Sequence, residues 1–504
     1  MSGISRFTPG MYTAERQAGR LKDMRATLSD LTRQLATGRV SDTLGGLGAS
    51  RSAVVDLRAQ LARAAGHKEV NQRGALRLDL MSNALDNLRT IAGDARRDAL
   101  SASGPDSARA IASAAEIARG RLMSALGELN ADFDGQFLFS GRATDTQPVP
   151  APQSLIDGTP GADGLRTLIS ERRAADRGDG TGRLALDQTG ASVSITEDTP
   201  PTFGFRLKSM VNTLNGGTIV GPNGVPQSVS LTLTAALSAG QTVTLALSLP
   251  DGSSESVTLV AREAGQPGAA DSSFVIAGDL AGTAANLKAA LATAIRTKAD
   301  TALSAASSIV AAQDFFAATE DAPARRIDGP PFDVATGFVP SGARVTQGWY
   351  QGDASAALSA RQSQVVTIDR GVSIAAGARA NEAPMQAVLA GLAALAAEQA
   401  DAADPQAVAR YRALSERAAG VMSQSAPDSL KGVISDVVAA SSAMTAANQR
   451  HTQRTAVVEA AIADIEQPSL EDLSASILSL QTRMEASYQV TASIGRLSLA
   501  SYLG

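Results

Sequence analysis

The sequence lacks cysteine altogether and has few aromatic residues. Its 504 residues include no Cys, and aromatic side chains make up 3%, with a single Trp. The absence of Cys excludes disulfide bonds, thiolate metal sites and cysteine nucleophiles. Because rings are scarce, Ala, Leu, Val and Ile must fill most of the interior, and these small side chains favour closely packed helices.

Strong charge and long apolar runs are also missing. The formal net charge is −5 and 19% of residues are charged, so no field that would gather nucleic acid is expected. No apolar run approaches the roughly 20 residues that span a bilayer. The first residues, MSGISRFTPGMYTAERQ, lack the apolar core of a cleaved signal peptide. We therefore expect a cytoplasmic protein, or one that is exported without a cleaved signal.

Catalytic and metal-binding patterns are not found either. The two histidines, His67 and His451, lie in helical runs without a third ligand at a suitable spacing, so we expect them to be solvated or to cap helices. Asp401 and Asp404 precede Pro405 and are better explained by the start of a helix than by calcium binding. Neither a Gly-x-Ser-x-Gly turn nor a Walker loop occurs. The sequence predicts no enzyme, no metal and no cofactor.

What the sequence does contain is an apolar seam near each end. In both segments, apolar side chains recur at alternating spacings of three and four, which is typical of one narrow stripe on a helix. The N-terminal seam consists of Leu21, Met24, Leu28, Leu31 and Leu35. The C-terminal seam consists of Leu470, Leu473, Ile477, Leu480, Met484, Ile494 and Leu497. Gly38 is predicted to end the first helix.

The middle of the chain has a different pattern. Residues 150–375 are rich in Pro and Gly and contain short runs of period two with β-branched residues. These runs predict strands at 228–237, 242–249, 256–261 and 273–278. They are followed by a predicted amphipathic helix at 283–295 and a hairpin at 361–377.

These patterns predict a mainly α fold with an inserted β-rich domain. We expect a long antiparallel helical rod or coiled coil, built from both chain ends, with the β-rich or α+β domain at its tip. The predicted domains are an N-terminal assembly helix, two parts of the rod on either side of the β-rich insertion with its inner unit at about 205–300, and a C-terminal assembly helix. The N-terminal assembly helix spans 1–45 and the C-terminal one spans 467–504. The two parts of the rod span 46–145 and 376–466, and the β-rich insertion spans 146–375.

Five stretches, taken in order, resemble the flagellin superfamily. The resemblance covers residues 1–150 and about 345–504, and it is greatest to the hook-associated protein 3 family of hook–filament junction proteins. The stretches that carry it are QLATGRVSD (34–42), FLFSGRATDTQPV (137–149), GWYQGD (348–353), GARANEAPMQAVLAGLAAL (377–395) and SLQTRMEASYQVTASIGRLSLASYL (479–503). One departure is SDTLGGLGAS (41–50), which has many glycines where the family commonly has Asp-Asp.

The resemblance implies a structural protein of the extracellular bacterial flagellum that joins hook to filament through its terminal helices. It implies as partners neighbouring copies, hook-associated protein 1, flagellin and an export chaperone, with no nucleic acid and no membrane insertion. It also suggests that Phe137 and Phe139 begin a strand and anchor their rings at the tip of the rod.

Two other functions stay open at this level. A flagellin that builds the filament itself is the nearest alternative, and copy number per flagellum separates it from a junction protein. A secreted adhesin, in which the helices are only a stalk and the β-rich tip binds a ligand such as a glycan, is the alternative from another class.

If the seams serve assembly alone, they have no partner in the monomer. We then expect disordered terminal segments, because short isolated helices are marginal in water. Leu480 and Met484 would be largely exposed, and Leu480→Asp would barely change the stability of the monomer. The same change at Leu122, on a predicted core face, would unfold it.

Overall fold

The computed structural model describes residues 9–101, 104–340, 342–355, 357–423 and 429–503, with the backbone alone for 9–14 and 494–503. Most of these residues are helical. The helices are α1 (Pro9–Thr37), α2 (Arg51–Ala99), α3 (Ala108–Leu129), α4 (Pro152–Asp157), α5 (Leu165–Arg177), α6 (Leu280–Lys298), α7 (Ser304–Ala317), α8 (Ala383–Ala397), α9 (Ala407–Met422), α10 (Leu430–Glu466) and α11 (Leu470–Leu503).

The strands lie mainly between α5 and α6, in the middle of the chain. They are β1 (Asp132–Phe133), β2 (Gln136–Phe137), β3 (Gly158–Thr159), β4 (Ala162–Asp163), β5 (Leu184–Thr189), β6 (Ser192–Glu197), β7 (Arg206–Asn212), β8 (Gly217–Asn223), β9 (Ser228–Leu233), β10 (Thr242–Ser248), β11 (Ser254–Arg262), β12 (Ser273–Val275), β13 (Val365–Asp369) and β14 (Val372–Ala375). The predicted fold class, mainly α with long terminal helices and a β-rich central part, is confirmed.

The described residues form two compact units. Unit 1 comprises the described parts of Met1–Arg73 and Ala443–Gly504 together with Ile368–Val372, and unit 2 comprises Gly74–Thr367 and Ser373–Ser442. Helices α2 and α10 contribute residues to both units. No helix of the described chain combines the length and the apolar character that crossing a membrane requires.

Two four-stranded sheets in unit 2 share one apolar core with α6. The first has the strand order β5-β6-β9-β8 and is antiparallel throughout. The second has the order β12-β11-β10-β7, in which only β11 and β12 run parallel. Alternate side chains of β10 are buried, as the period-two pattern predicts. The four strands predicted from the sequence are present, with shorter ends at β9 and β12.

Helix α8 lies in the centre of unit 2. Its sequence, APMQAVLAGLAALAA, contains no charged residue, and a helix that is apolar all round must be covered on all sides. It packs against α3, α7 and α9. Gly391 allows α9 to approach, because a Cβ at this position would lie 2.6 Å from Cγ of Met422.

The domain boundaries predicted from the sequence do not coincide with these units. Residues on both sides of the expected boundary at 45–46 belong to unit 1. Helices α8 and α9, which we expected in the rod, pack on α7 in the same unit as both sheets. The expected boundary at 375–376 therefore does not separate a β-rich domain from a helical one, because apolar α8 needs partners that the insertion supplies.

Helix α8 ends at a buried acidic residue. It ends at Ala397, and Glu398 adopts an extended conformation with φ −65° and ψ 135°. The Glu398 carboxylate accepts hydrogen bonds from the side chains of Arg173 and Arg410 and is almost fully buried. Because these two guanidinium groups hold the carboxylate, the chain leaves the helix here.

Leu122 and Met123 on α3 give a direct test of the core of unit 2. Leu122 is fully buried, whereas Met123 is 61% exposed. Leu122→Ala should lower the free energy of unfolding by about 2–5 kcal/mol because it leaves a cavity, and Met123→Ala should change it by less than about 0.5 kcal/mol. Urea unfolding can be followed through the fluorescence of the buried Trp349, which lies in the same unit. Equal shifts for the two variants would show that α3 is not oriented as described.

Candidate assembly helices

The N-terminal seam lies on α1, which ends in a tight polar turn. Gly38 has a φ of +63°, and its N–H donates to the carbonyl of Gln34, which stops the helix as predicted. The guanidinium of Arg33 binds Asp42 beyond the turn at 2.8 Å and Asp30 within the helix at 2.7 Å. The hydrogen bond from Arg33 lowers the pKa of Asp30 below its ordinary value. These bonds fix the direction in which the chain leaves α1.

Within unit 1, α1 pairs with α11 in antiparallel orientation. Near the middle of both helices, Nη2 of Arg25 donates to the hydroxyl of Tyr488 at 2.8 Å. At the end of α1, the N–H of Val40 donates to the carbonyl of Glu466, just before α11 begins. As the residue number rises along one helix it falls along the other, so the two helices run in opposite directions.

Glu466 holds the junction between the chain ends. Its carboxylate binds Arg58 of α2 at 2.5 Å and Arg39 at 3.5 Å, and its side chain is only 16% exposed. Arg39 lies in the stretch QLATGRVSD (34–42), directly after Gly38. A basic residue after the glycine at the end of α1 therefore gives the largely buried Glu466 carboxylate a second cationic partner, although both arginine side chains remain exposed.

The pairing buries part of each seam. On α11, Leu473 and Met484 are buried, with 4% and 9% exposure, and Ile477 and Leu480 are half-buried. On α1, the first four seam residues are half-buried: Leu21, Met24, Leu28 and Leu31. The expectation that Leu480 and Met484 are largely exposed in the monomer, and with it that of unpartnered terminal segments, is wrong. The reason is that each seam covers the other within one chain.

Other apolar side chains of the helix pair stay exposed. We call Leu35, Leu470, Leu478 and Val490 the terminal-helix surface, and their exposed fractions are 45%, 63%, 65% and 48%. Leu35 and Leu470 belong to the predicted seams, whereas Leu478 lies outside the seam spacing; Val490 shares the spacing of Ile494 and Leu497 but was not among the predicted interface residues. The side chains of Ile494 and Leu497, also predicted for this interface, lie outside the described residues.

The two phenylalanines that follow α3 have different environments. Strands β1 and β2 form a hairpin through Asp134 and Gly135, both with positive φ. Phe137 ends β2 and is half-buried, whereas Phe139 lies beyond the strand and is fully buried. The carbonyl of Phe139 accepts the N–H of Ala380 at 2.9 Å. The expectation that both residues lie on one strand is wrong, because the ladder ends at Phe137.

The expectation that both histidines are solvated or cap helices does not hold for His451, which is buried, whereas His67 is half-buried. His451 is 4% exposed and its ring stacks on that of His67. Within the described part of the chain, no group of three or more His, Cys, Asp or Glu side chains could hold a metal ion.

Comparison with known protein families identifies the N-terminal part of the chain. Residues 12–144, about a quarter of the chain, match the model of the bacterial flagellin N-terminal helical region. The match extends from α1 to the segment that follows Phe139. Comparison with curated proteins and with solved structures found no match. The match supports the flagellin superfamily and a structural subunit of the bacterial flagellum.

Leu473 and Leu478, on one helix, test the pairing of α1 with α11. Leu473→Asp places a carboxylate where the side chain is buried, which costs several kcal/mol or forces a proton onto the group. We expect amide exchange in α1 to become at least about tenfold faster in this variant, because α1 loses its partner. Leu478→Asp, at a 65% exposed site, should leave exchange in α1 unchanged. Hydrogen exchange followed by mass spectrometry measures both, and identical behaviour of the two variants would contradict the pairing.

Proposed function

We propose that the chain joins the hook to the filament of the bacterial flagellum and that it assembles through the terminal-helix surface. The observation that carries the proposal is the coincidence of the matched N-terminal region with a helix pair that still exposes large apolar side chains. In a helical array, one surface that contacts a different surface on the next copy produces an open assembly.

The mechanism is mechanical rather than chemical. Leu473 and Met484 hold the two ends of one chain together, whereas Leu35, Leu470, Leu478 and Val490 are available for neighbours. Full burial of a leucine side chain contributes about 2 kcal/mol, so a few such contacts per subunit support stable association. The half-buried seam residues, such as Leu28 and Leu480, would be covered further on assembly.

The resemblance of FLFSGRATDTQPV (137–149) to the junction proteins favours this position over the filament itself. The partners would be neighbouring copies, hook-associated protein 1 and flagellin, with an export chaperone before secretion. As a flagellar subunit, the protein would be exported to the outside of the cell.

A strain without the gene separates a junction protein from a flagellin. A junction protein is expected to leave hooks without filaments while flagellin accumulates in the medium, because the filament then has no base on which to grow. If the protein is instead a flagellin, this strain lacks the main filament subunit, and the wild-type flagellum contains many copies of the protein. Normal filaments would contradict both.

Complementation of that strain with point variants tests whether the terminal-helix surface is needed for assembly. Leu478→Asp should leave the monomer stable but fail to restore filaments, because each contact would bury an unpaired carboxylate. Val334→Asp in unit 2 is the matched control, since Val334 is 63% exposed and Leu478 is 65% exposed. Filament counts by electron microscopy give the result. Full rescue by Leu478→Asp would exclude Leu478 from the interface.

A further inference from the structure

An open groove lies beside α8 in unit 2. Helices α3 and α9 both pack on α8, whereas they meet each other only over a short stretch, and the groove lies between them. Its volume is about 320 Å³, which is at the lower end of the range of about 300–1,000 Å³ that is typical of small-molecule sites. The side chains of Leu392 and Leu395 on α8 form its apolar floor.

Small side chains leave this space open. Ala95 and Ala99 lie one turn apart on α2, Ala114 and Ala118 lie one turn apart on α3, and all four line the groove. Next to Ala118, the side chain of Ile117 also lines the groove and is 57% exposed, although isoleucine is among the most commonly buried residues. The groove is therefore a concave apolar surface that the described residues do not fill.

Two hydroxyl groups give the groove the means to recognise a polar atom. Tyr411 and Ser415 lie one turn apart on α9, line the groove and are each 5% exposed. Their side chains hydrogen-bond to each other, and burial raises the pKa of Tyr411 to about 12, so its hydroxyl keeps its proton at neutral pH. Two hydroxyls carry two hydrogens, and the bond between them uses one. The other hydrogen can be donated to an acceptor in the groove.

The charged side chains that line the groove balance one another. Asp98 and Arg121 form an ion pair, and Arg412 and Glu416 lie one turn apart on α9 with opposite charges. A ligand with a net charge would meet as much repulsion as attraction from these groups, and it would have to leave water to reach the apolar floor. A neutral ligand avoids both costs.

We propose that this groove binds a neutral, mainly apolar small molecule, about as large as two fused aromatic rings, which carries one hydrogen-bond acceptor. Its apolar body would lie on Leu392 and Leu395, and its acceptor would receive the hydrogen bond from the pair of Tyr411 and Ser415. An apolar side chain of a partner protein fits less well, because it would cover a donor without supplying an acceptor. The site belongs to unit 2, and the proposal does not depend on the proposed flagellar function.

Binding of prodan, a neutral naphthalene dye with one ketone oxygen, tests the site in the full-length protein. We expect the fluorescence of prodan to shift to shorter wavelength and to saturate at one molecule per chain, and we expect bound prodan to raise the melting temperature. Ala114→Phe should weaken binding at least about tenfold, because the added ring fills the groove. Ala112→Phe, at an exposed position on the opposite side of α3, is the matched control and should bind prodan as the wild type does. Circular dichroism establishes whether both variants fold.

Tyr411→Phe tests the hydrogen bond separately from the shape of the groove. Loss of one hydrogen bond should weaken prodan binding about threefold to tenfold. Naphthalene has no acceptor of this kind, so its affinity, measured by competition with prodan, should be the same in Tyr411→Phe as in the wild type. Equal loss of affinity for both molecules would overturn the proposed hydrogen bond to the ligand.

Other results would overturn the site itself. Absence of saturable prodan binding to the wild-type protein would do so, and so would equal binding by a folded Ala114→Phe variant, because the dye would then lie on another apolar surface. Sedimentation of the same variants tests the alternative occupant. If Ala114→Phe, but not Ala112→Phe, removed an association between copies that prodan did not affect, the groove would be a protein interface instead of a small-molecule site.

Discussion

The antiparallel pairing of α1 with α11 is the interaction on which unit 1 depends. Most helical stability in proteins comes from packing of an apolar face rather than from propensity, so each helix depends on the apolar face of the other. Leu473 and Met484 supply the buried contacts, and Glu466 fixes the register through Arg39, Arg58 and the N–H of Val40. The loop between the two ends is very long, but the entropy of closing a loop grows only with the logarithm of its length. A few well-packed turns can therefore hold the ends of a 504-residue chain together.

This pairing also determines which residues are left for assembly. An apolar seam at a chain end can be covered by a neighbouring copy or by the other end of the same chain, and the seam pattern is the same in both cases. Here the two seams pack against each other within one chain, and Leu478 and Val490 on the outer side of α11 stay exposed. In the proposed function, residues that fold the subunit and residues that bind its neighbours therefore share one helix, and they differ only in the face they occupy.

The sequence predicted the long terminal helices, the end of α1 at Gly38, α6 and the strands β9, β10 and β11, because each has a clear periodicity or cap. It did not predict β7 and β8. A bulge between Ala246 and Leu247 disturbs the pairing of β7 with β10, and Pro222 interrupts the pattern of β8. The partner of each seam and the contact between His67 and His451 depend on long-range packing, which leaves no local signal. For the same reason, periodicity identified the seams but could not separate buried Met484 from exposed Leu470, which belong to the same predicted seam.

Cross-linking of the chain ends is the most direct test of the central claim, that the terminal helices pair antiparallel within one chain. The natural sequence has no Cys, so introduced pairs react without background. The pair Arg25→Cys with Tyr488→Cys joins positions whose native side chains share a hydrogen bond, and Arg25→Cys with Ser474→Cys is the control. In dilute monomer, a short bis-maleimide should link the first pair within single chains and leave the control unlinked. Equal reaction of both pairs, or links formed only between different chains, would contradict the account.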